Sequence, residues 1–227
     1  MNKNILYIHG ANMSPVSFAF IQKAIGKHNA LTPEYSIEKP IEKNIKKIAR
    51  LARKAFGDKQ FDIISHSLGG IIAFMLLKTR LNIVKIVTLS TPLGGSEAAA
   101  SLRFMYPNYQ LYKDIAPNAD TIKKVNNIEL KVPVLSIVTT GGKSKIPFMA
   151  EENDTVVTVS SQTTSDNPEY YFVDLNHFEV LMSEEVTKKI KAFLYEKRGR
   201  NWKNVTFAND AMKNLLLPVR SILKGGL

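Results

Sequence analysis

Short apolar runs alternate along this chain with longer segments of helical periodicity, and this alternation strongly constrains the fold. Predominantly apolar runs such as Ile83–Leu89 are typical of strands buried on both faces of a parallel sheet. Strands that alternate with helices predict an α/β domain, with a mostly parallel sheet covered by helices on both faces. The predicted strands are Asn4–Ile8, Phe61–Ser65, Ile83–Leu89, Val134–Thr139 and Tyr170–Leu175, with a short one near Ala30–Ser36. The predicted helices are Val16–Lys27, Glu42–Phe56, Leu68–Thr79 and Ser183–Lys197.

The composition fits one globular domain and excludes several kinds of site. The chain has 227 residues, of which 44% are hydrophobic and 22% are charged, and this is enough for a sizeable core. Because the chain has no cysteine, disulfides, thiolate metal sites and cysteine nucleophiles are excluded. No apolar stretch approaches the roughly 18 residues of a membrane-spanning helix, and the first residues lack the apolar run of a secretory signal. We therefore expect a cytoplasmic protein.

The net charge of +11 raises the question of an acidic partner. A basic protein can attract nucleic acid, anionic lipid or an acidic protein. The basic residues are spread along the chain, however, and six of them lie in the predicted helix Glu42–Phe56, whose apolar residues repeat at helical spacing. This pattern is typical of a solvated face on a helix packed against the core. No nucleic-acid-binding motif accompanies the charge, so we expect no nucleic-acid partner.

Two segments depart from the simple alternation. Residues 90–131 separate two predicted strands by about 40 residues, and they could form either a lid over a pocket or a helical excursion packed on the domain. Residues 198–227 carry six basic side chains and one acidic side chain, with apolar residues near helical spacing. They could form an amphipathic segment that contacts a membrane or a partner, or pack onto their own domain. The chain is therefore divided into a domain of residues 1–197 and a basic C-terminal extension of residues 198–227. Its oligomeric state is left open.

Ser67 stands at an abrupt turn between a predicted strand and a predicted helix. The surrounding residues 65–70, Ser-His-Ser-Leu-Gly-Gly, are small where such a turn would bring the two backbones together. This pattern is typical of a nucleophile elbow, which exposes a serine at the edge of a sheet. The same turn directs the free N–H groups of the helix start towards the reacting carbonyl group. An ordinary strand–helix junction with an N-cap serine has the same short sequence pattern. The other residues of the chain must therefore distinguish a nucleophile elbow from a simple helix cap.

A serine hydroxyl needs a base to accept its proton and an acid to orient that base. The last predicted strand, Tyr170–Leu175, runs directly into His177, which places this histidine at the sheet edge where Ser67 emerges. His177 is therefore the candidate base. The orienting acid should follow the preceding strand, and we choose Asp154 from that loop because two valines anchor the chain behind it. Asp174 is the second candidate.

The loop after the first predicted strand contains the sequence His9-Gly10-Ala11. In a parallel sheet this loop lies at the same edge as the elbow. The backbone N–H of Ala11 is therefore predicted to join that of Leu68 in an oxyanion hole. His9 precedes the serine and ends a buried strand, so we interpret it as a structural histidine that forms hydrogen bonds and not as the base.

The ordered combination of these motifs resembles the α/β-hydrolase superfamily, and within it the lipases and esterases. The resemblance spans residues 4–197 and implies a compact hydrolase core without the first two antiparallel strands. It also implies no cofactor, a small-molecule or lipid ester as substrate, and hydrolysis through an acyl-enzyme with Ser67, His177 and Asp154 as the triad. The matching motifs are His9-Gly10, Ser65-His66-Ser67-Leu68-Gly69-Gly70, Ser90-Thr91-Pro92-Leu93-Gly94-Gly95-Ser96, Asp154-Thr155-Val156-Val157 and Asn176-His177.

Three positions depart from the motifs of that superfamily without removing a triad member. Ser65 stands where the elbow usually has its first glycine, Leu93 where a Thr-Pro-His segment has its histidine, and Thr155 where the acid loop has glycine. The same triad also serves thioesterases and amidases, and a non-catalytic protein of this fold could use the pocket to bind a partner. These functions remain alternatives to ester hydrolysis.

Overall fold

Strands and helices alternate in the computed structural model, which describes residues 2–97, 99–100, 105, 109–142, 151–165 and 168–195. The predicted extension 198–227 lies outside these residues. The strands are β1 (Asn4–Ile8), β2 (Asn29–Leu31), β3 (Phe61–His66), β4 (Ile83–Leu89), β5 (Val134–Thr139) and β6 (Glu169–Val173). The helices are α1 (Ala19–Ile25), α2 (Ile41–Phe56), α3 (Leu68–Leu76), α4 (Gln110–Asp114), α5 (Asp120–Asn126), α6 (Val159–Gln162) and α7 (Glu184–Tyr195), with 3-10 turns at Pro15–Phe18 and Glu179–Met182. In the described part of the chain, no helix is long and apolar enough to cross a membrane.

The strands form one parallel sheet in the order β2-β1-β3-β4-β5-β6. This confirms the α/β class and the parallel sheet predicted from the alternating elements. From β1 the chain moves outward to β2 and then returns to the other side of β1 to form β3. The strand order therefore reverses between β1 and β3. Open α/β sheets bind ligands beyond the carboxyl ends of the strands at such a reversal.

The sheet is covered on both faces because its central strands carry apolar residues on both faces. In β1, Leu6 and Ile8 belong to one core cluster, whereas Ile5 and Tyr7 belong to the other. Helices α2 to α5 pack in the first cluster, and α1, the turn at 179–182 and α7 pack in the second. Helix α2 shows why a basic segment can cover a core, since its buried apolar residues repeat at helical spacing. These residues are Ile41, Ile45, Ile48, Ala49, Ala52 and Phe56.

The predicted elements differ from the observed ones mainly at their ends. The predicted helix Val16–Lys27 is divided into the 3-10 turn at 15–18 and α1, which ends before Gly26 with a φ of 89°. The second strand, predicted near Ala30–Ser36, is only three residues long. Pro33 follows it closely, and proline has no N–H with which to extend the pairing to β1.

The excursion at residues 90–131 contributes α4 and α5 in its described part. These helices pack against α2 and α3, so this part of the excursion is covered by its own domain. Residues 98, 101–104 and 106–108 lie outside the described residues, and a lid function for the segment stays a prediction. The buried apolar residues of the excursion are Leu93, Ala99, Leu111, Ile115, Ala116, Ile122, Val125 and Ile128.

Candidate active site

Ser67 occupies a sharp turn between β3 and α3. Its φ is 52° and its ψ is −124°, and residues other than glycine rarely adopt a positive φ. The turn is held on both sides, because the Ser67 N–H donates to the Leu89 carbonyl oxygen at 2.8 Å and the Ser67 carbonyl accepts from the Gly70 N–H at 2.9 Å. A strained strand-to-helix turn of this kind is typical of a nucleophile elbow.

The glycines after Ser67 allow helix α3 to approach the sheet closely. A Cβ atom at Gly69 would collide with the carbonyl oxygen of Ile8, and one at Gly70 would collide with the side chain of Thr91. The first obstacle is backbone of β1 and cannot rotate away. The small residues of the motif are therefore required by the close contact between helix and strand, as the sequence pattern indicated.

The loop that follows β1 lies directly beside Ser67. A Cβ built on Gly10 would lie 3.1 Å from the Ser67 Cβ, so Gly10 allows the loop to approach the turn. Leu68 is the first residue of α3, and an N–H at that position has no intrahelical partner. Among the described residues, the N–H of Ala11 also has no hydrogen-bond acceptor. The two N–H groups predicted to bind an oxyanion are thus free of protein acceptors in segments that adjoin Ser67.

Asp154 and His177 form a buried hydrogen-bonded pair. His177 Nδ1 lies 2.8 Å from Asp154 Oδ2, and the backbone N–H of His177 donates to the Asp154 carbonyl at 2.9 Å. The two side chains are 3% and 0% exposed. Since an ionised carboxylate can only accept, Nδ1 carries the proton, which leaves Nε2 able to accept one. The second candidate acid, Asp174, is exposed and makes no hydrogen bond to His177 within the described ranges.

Three further hydrogen-bond donors help to determine the charge state of Asp154. Its Oδ1 accepts from the N–H groups of Val156 and Val157 at 2.9 and 2.7 Å, and its Oδ2 accepts from the Thr139 hydroxyl at 2.6 Å. Burial alone would raise the pKa of this carboxyl group. The hydrogen bond and attraction from His177, together with the hydrogen bonds from Thr139 and Val157, outweigh burial and hold the pKa below its usual value. Asp154 is therefore ionised at neutral pH.

His66 connects the Ser67 turn to the histidine of the pair. Its Nε2 lies 2.8 Å from the His177 carbonyl oxygen, and the two rings are 4.7 Å apart. Since Ser67 follows His66 directly, Ser67 and His177 are held at the same end of the sheet. No direct hydrogen bond joins the Ser67 hydroxyl to His177 in the part of the chain that the structure describes. Catalytic hydrogen bonds are often loose without substrate and tighten in the complex.

His66, the histidine before Ser67, is neutral at pH 7. Burial and the nearby His177 lower the pKa of His66 to about 3. Its Nε2 donates to the His177 carbonyl, so its Nδ1 is an acceptor, and this buried atom has no hydrogen-bond partner among the described residues. His9 is also buried and lies face to face with Tyr35, with a ring separation of 4.5 Å. The interpretation of His9 as a structural histidine agrees with this stacked position.

Replacing His66 by glutamine should make the stability of the protein less sensitive to acid. As the pH falls below about 6.5, His66 in the unfolded chain takes up a proton before His66 in the folded protein does. The stability contributed by neutral His66 is therefore complete above about pH 6.5 and is lost progressively towards about 3, at up to about 1.4 kcal/mol per pH unit. Glutamine keeps an N–H donor near the Nε2 position and does not titrate. Urea unfolding at a series of pH values should give a flatter profile for His66→Gln, and parallel profiles would contradict this prediction.

Thr155, in the loop that contains the acid, has a φ of 85°. A β-branched residue is strongly disfavoured at positive φ. This is the position at which the resembling acid loops have glycine, and the structure explains that preference by the conformation of the turn. The Thr155 N–H donates to Asn153 Oδ1 at 2.9 Å, a bond that any residue except proline can keep.

The variant Thr155→Gly is expected to raise the free energy of unfolding by about 1 kcal/mol. Relief of the strained backbone is worth about 1–2 kcal/mol, and the greater freedom of glycine in the unfolded chain offsets part of it. The measurement is urea unfolding of the wild type, Thr155→Gly and Thr155→Ala. Alanine retains a Cβ atom and should stay near the wild type. A glycine variant no more stable than the alanine variant would show that the turn is not strained.

Sequence reasoning missed the polar side chains that surround Asp154 on its far side. Thr139 ends β5, Ser90 follows β4, and Gln162 ends α6, and all three are buried. One signal was available, because Thr139 is a polar residue at the carboxyl end of a mostly apolar strand. The part played by Gln162 depends on the packing of α6 against β5, and no local pattern indicates it.

The arrangement is chemically suited to acyl transfer. It joins a serine on a strained turn, a buried imidazole–carboxylate pair and N–H groups without protein acceptors, which are the three requirements of a serine nucleophile. Across the described ranges, no group of three or more His, Cys, Asp or Glu side chains could hold a metal ion.

Comparison with known proteins gives one family match and several matches of fold. The profile of the family described as PGAP1-like alpha/beta domain matches residues 37–197, a range that includes Ser67, Asp154 and His177. No protein of curated function matches the sequence significantly.

Solved structures of hydrolases share the fold. The mature lipase BlEst2 of Bacillus licheniformis is 16% identical, with a TM-score of 0.70, 85% of this chain covered and 91% of that chain covered. Phospholipase PlaB of Legionella pneumophila is 11% identical, with a TM-score of 0.73, 89% of this chain covered and 60% of that chain covered. The thioesterase domain from the curacin biosynthetic pathway is 11% identical, with a TM-score of 0.57, 85% of this chain covered and 90% of that chain covered. The likeness identifies the fold as that of the α/β-hydrolases.

Proposed function

Because the chain belongs to the PGAP1-like alpha/beta domain family and shares its fold with lipases and phospholipases, we propose that it is a serine hydrolase of carboxylic esters, lipid esters among them. The observation that carries the proposal is the buried Asp154–His177 pair beside the strained turn at Ser67. A serine that only caps a helix requires neither a strained backbone nor a histidine–carboxylate pair beside it.

In the proposed reaction, Ser67 Oγ attacks the ester carbonyl carbon while His177 Nε2 accepts the hydroxyl proton. The N–H groups of Ala11 and Leu68 bind the oxyanion that forms. The bond from carbon to the alcohol oxygen then breaks, and His177 gives the proton to the leaving alcohol. A water molecule releases the acyl group by the same steps. Asp154 stays ionised throughout and stabilises the charged imidazole.

The surface beside His177 supports a substrate with an apolar chain. The ring of Phe178 meets that of His177 edge to face at 5.3 Å and is 51% exposed. Met182 and Val16 are 65% and 75% exposed, and they lie on the 3-10 turn at 179–182 and on the 3-10 turn that leads into α1. Helix α1 and the turn at 179–182 pack against each other. Exposed large apolar side chains, one of which contacts the His177 ring, are typical of binding to an apolar ligand. These residues favour long-chain esters over small polar ones.

A fluorophosphonate probe tests the proposed function directly, since it labels only an activated serine. The folded protein should be labelled, and peptide mapping by mass spectrometry should place the adduct on Ser67. Hydrolysis of p-nitrophenyl esters of short and long chain should accompany labelling, with acyl-CoA and anilide substrates included to test thioesterase and amidase activity. Folded protein that stays unlabelled and inactive on all of these substrates would instead support a non-catalytic binding role.

A further inference from the structure

Asp154 Oδ2 is held by a buried side-chain network in addition to its contact with His177. The Thr139 hydroxyl lies 2.6 Å from this oxygen, 2.8 Å from the Ser90 hydroxyl and 3.2 Å from Gln162 Oε1. All four side chains are completely buried, with 0% of their surface exposed. The network therefore excludes solvent from the side of the carboxylate that faces away from His177.

The direction of the hydrogen bonds follows from the proton count. Thr139 has one hydroxyl proton, and the ionised carboxylate of Asp154 can only accept. The Thr139 proton therefore belongs to the short bond with Asp154, and Ser90 donates its own proton to the Thr139 oxygen. Bonds that polarise one another in series are stronger than isolated ones in a buried setting.

Gln162 holds the backbone of Thr139 in place. Strand β4 pairs with β5 only as far as Leu89 and Ile137, so the N–H and carbonyl of Thr139 on that side have no strand partner. The side-chain amide of Gln162 takes the place of a strand, because its Oε1 accepts from the Thr139 N–H at 2.9 Å and its Nε2 donates to the Thr139 carbonyl at 3.0 Å. This pair of bonds determines where the Thr139 hydroxyl lies.

The two oxygens of Asp154 have separate partners. Val156 and Val157 hold Oδ1 through backbone N–H groups. Because the carboxylate is a rigid planar group, the Thr139 hydroxyl at Oδ2 completes the constraint on its orientation. We propose that Thr139 and Gln162 are positioning residues, which direct Asp154 Oδ2 towards His177 Nδ1 and thereby fix the orientation of the imidazole. The inference rests on the proposed function, because it concerns the acid of the proposed triad.

The test compares Thr139→Val, which keeps the shape of the side chain and removes the hydroxyl, with Thr139→Ser, which keeps the hydroxyl. We expect Thr139→Val to lower kcat by roughly 10- to 100-fold, as a misplaced catalytic group does. KM should change by less than about two-fold, because Thr139 is completely buried. Thr139→Ser should restore most of kcat. If Thr139→Val folds poorly, Gln162→Met provides a second test, and this variant should also lower kcat.

The matched control is Thr88→Val. Thr88 is also completely buried in the sheet, and its hydroxyl donates to Ser136 Oγ at 3.0 Å without touching Asp154. The Thr88→Val variant should be less stable than the wild type, and its kcat should be unchanged. If Thr88→Val and Thr139→Val lower kcat equally, the effect is general destabilisation and the inference is wrong.

A second measurement separates this inference from the proposed function. The Nδ1 proton of an imidazole bound to a carboxylate gives a low-field proton NMR signal, which reports the His177–Asp154 bond without substrate. The signal should shift or broaden in Thr139→Val and Gln162→Met, and should be unchanged in Thr88→Val and Thr139→Ser. If the wild type has no hydrolase activity, the proposed function fails and this signal alone decides the positioning inference. An unchanged signal in Thr139→Val, with kcat unaffected, overturns the inference while the proposed function stands.

Discussion

Replacing Ser67 by alanine is expected to lower kcat for ester hydrolysis by about 10⁴- to 10⁶-fold, as loss of a catalytic serine does. Alanine has nearly the same backbone preferences as serine, so the turn between β3 and α3 should be retained. The measurements are turnover of a p-nitrophenyl ester and labelling by a fluorophosphonate probe. Labelling that persists in Ser67→Ala would show that a different serine is the nucleophile.

Ser65→Ala is the matched control for this experiment. Ser65 lies two residues before Ser67 in the same motif, but it is buried in β3 and its hydroxyl donates to the Val87 carbonyl at 3.1 Å. Its removal should cost about 1 kcal/mol of stability through the lost hydrogen bond, and activity should stay near that of the wild type. The contrast between the two alanine variants distinguishes loss of the nucleophile from disturbance of the turn.

Asp154→Asn is expected to lower kcat by about 10³- to 10⁴-fold. The asparagine amide can present an N–H group to His177 Nδ1, which favours the tautomer that has its proton on Nε2 and cannot accept the serine proton. The matched control is Asp174→Asn, which changes an exposed carboxylate three residues before His177 and should leave kcat unchanged. If Asp174→Asn lost activity and Asp154→Asn retained it, the acid role would belong to Asp174.

The same substitution has a pH signature in stability. The folded protein holds the pKa of Asp154 below its usual value, so the ionised carboxylate stabilises the fold fully above about 3.9, the value in the unfolded chain. This contribution is lost as the pH falls from that value through the lower pKa of the folded protein. The difference in unfolding free energy between the wild type and Asp154→Asn should therefore narrow below about pH 4. A difference that stays constant would show that the carboxylate contributes no charge-dependent stability.

Much of the fold was predictable because its signals are local. The apolar run at Ile83–Leu89 predicted β4 with both ends correct, and the predicted limits of the first and fifth strands also agree with β1 and β5. Helix ends were less accurate, as at α3, which ends at Leu76 and not at Thr79. Beyond Leu76 the N–H groups of residues 77–79 donate to carbonyl groups three residues back, so the helix tightens into a 3-10 turn over the residues that the prediction counted as α-helix.

Chain order alone led to the residues proposed for the chemistry. In a parallel sheet every strand ends at the same edge, so Ser67 after β3, Asp154 after β5 and His177 after β6 could be expected there without coordinates. The sequence favoured Asp154 over Asp174 because two valines follow it, and the packed structure shows which of the two carboxylates contacts His177. Asp174 is nearer to His177 in sequence, but it is exposed, and the loop from β5 brings Asp154 to within 2.8 Å of the imidazole.

The Thr139–Gln162 contact shows where reasoning from local patterns ends. Residue type and spacing predict periodic elements and the edge of the sheet at which each loop emerges, because these properties depend on neighbours in the chain. The two hydrogen bonds between Gln162 and the Thr139 backbone depend on the place where β4 stops pairing and on the packing of α6 beside it. Hydrogen bonds form only within about 3 Å and in narrow directions. Contacts of that precision between segments far apart in the chain are set by the packing of the whole domain.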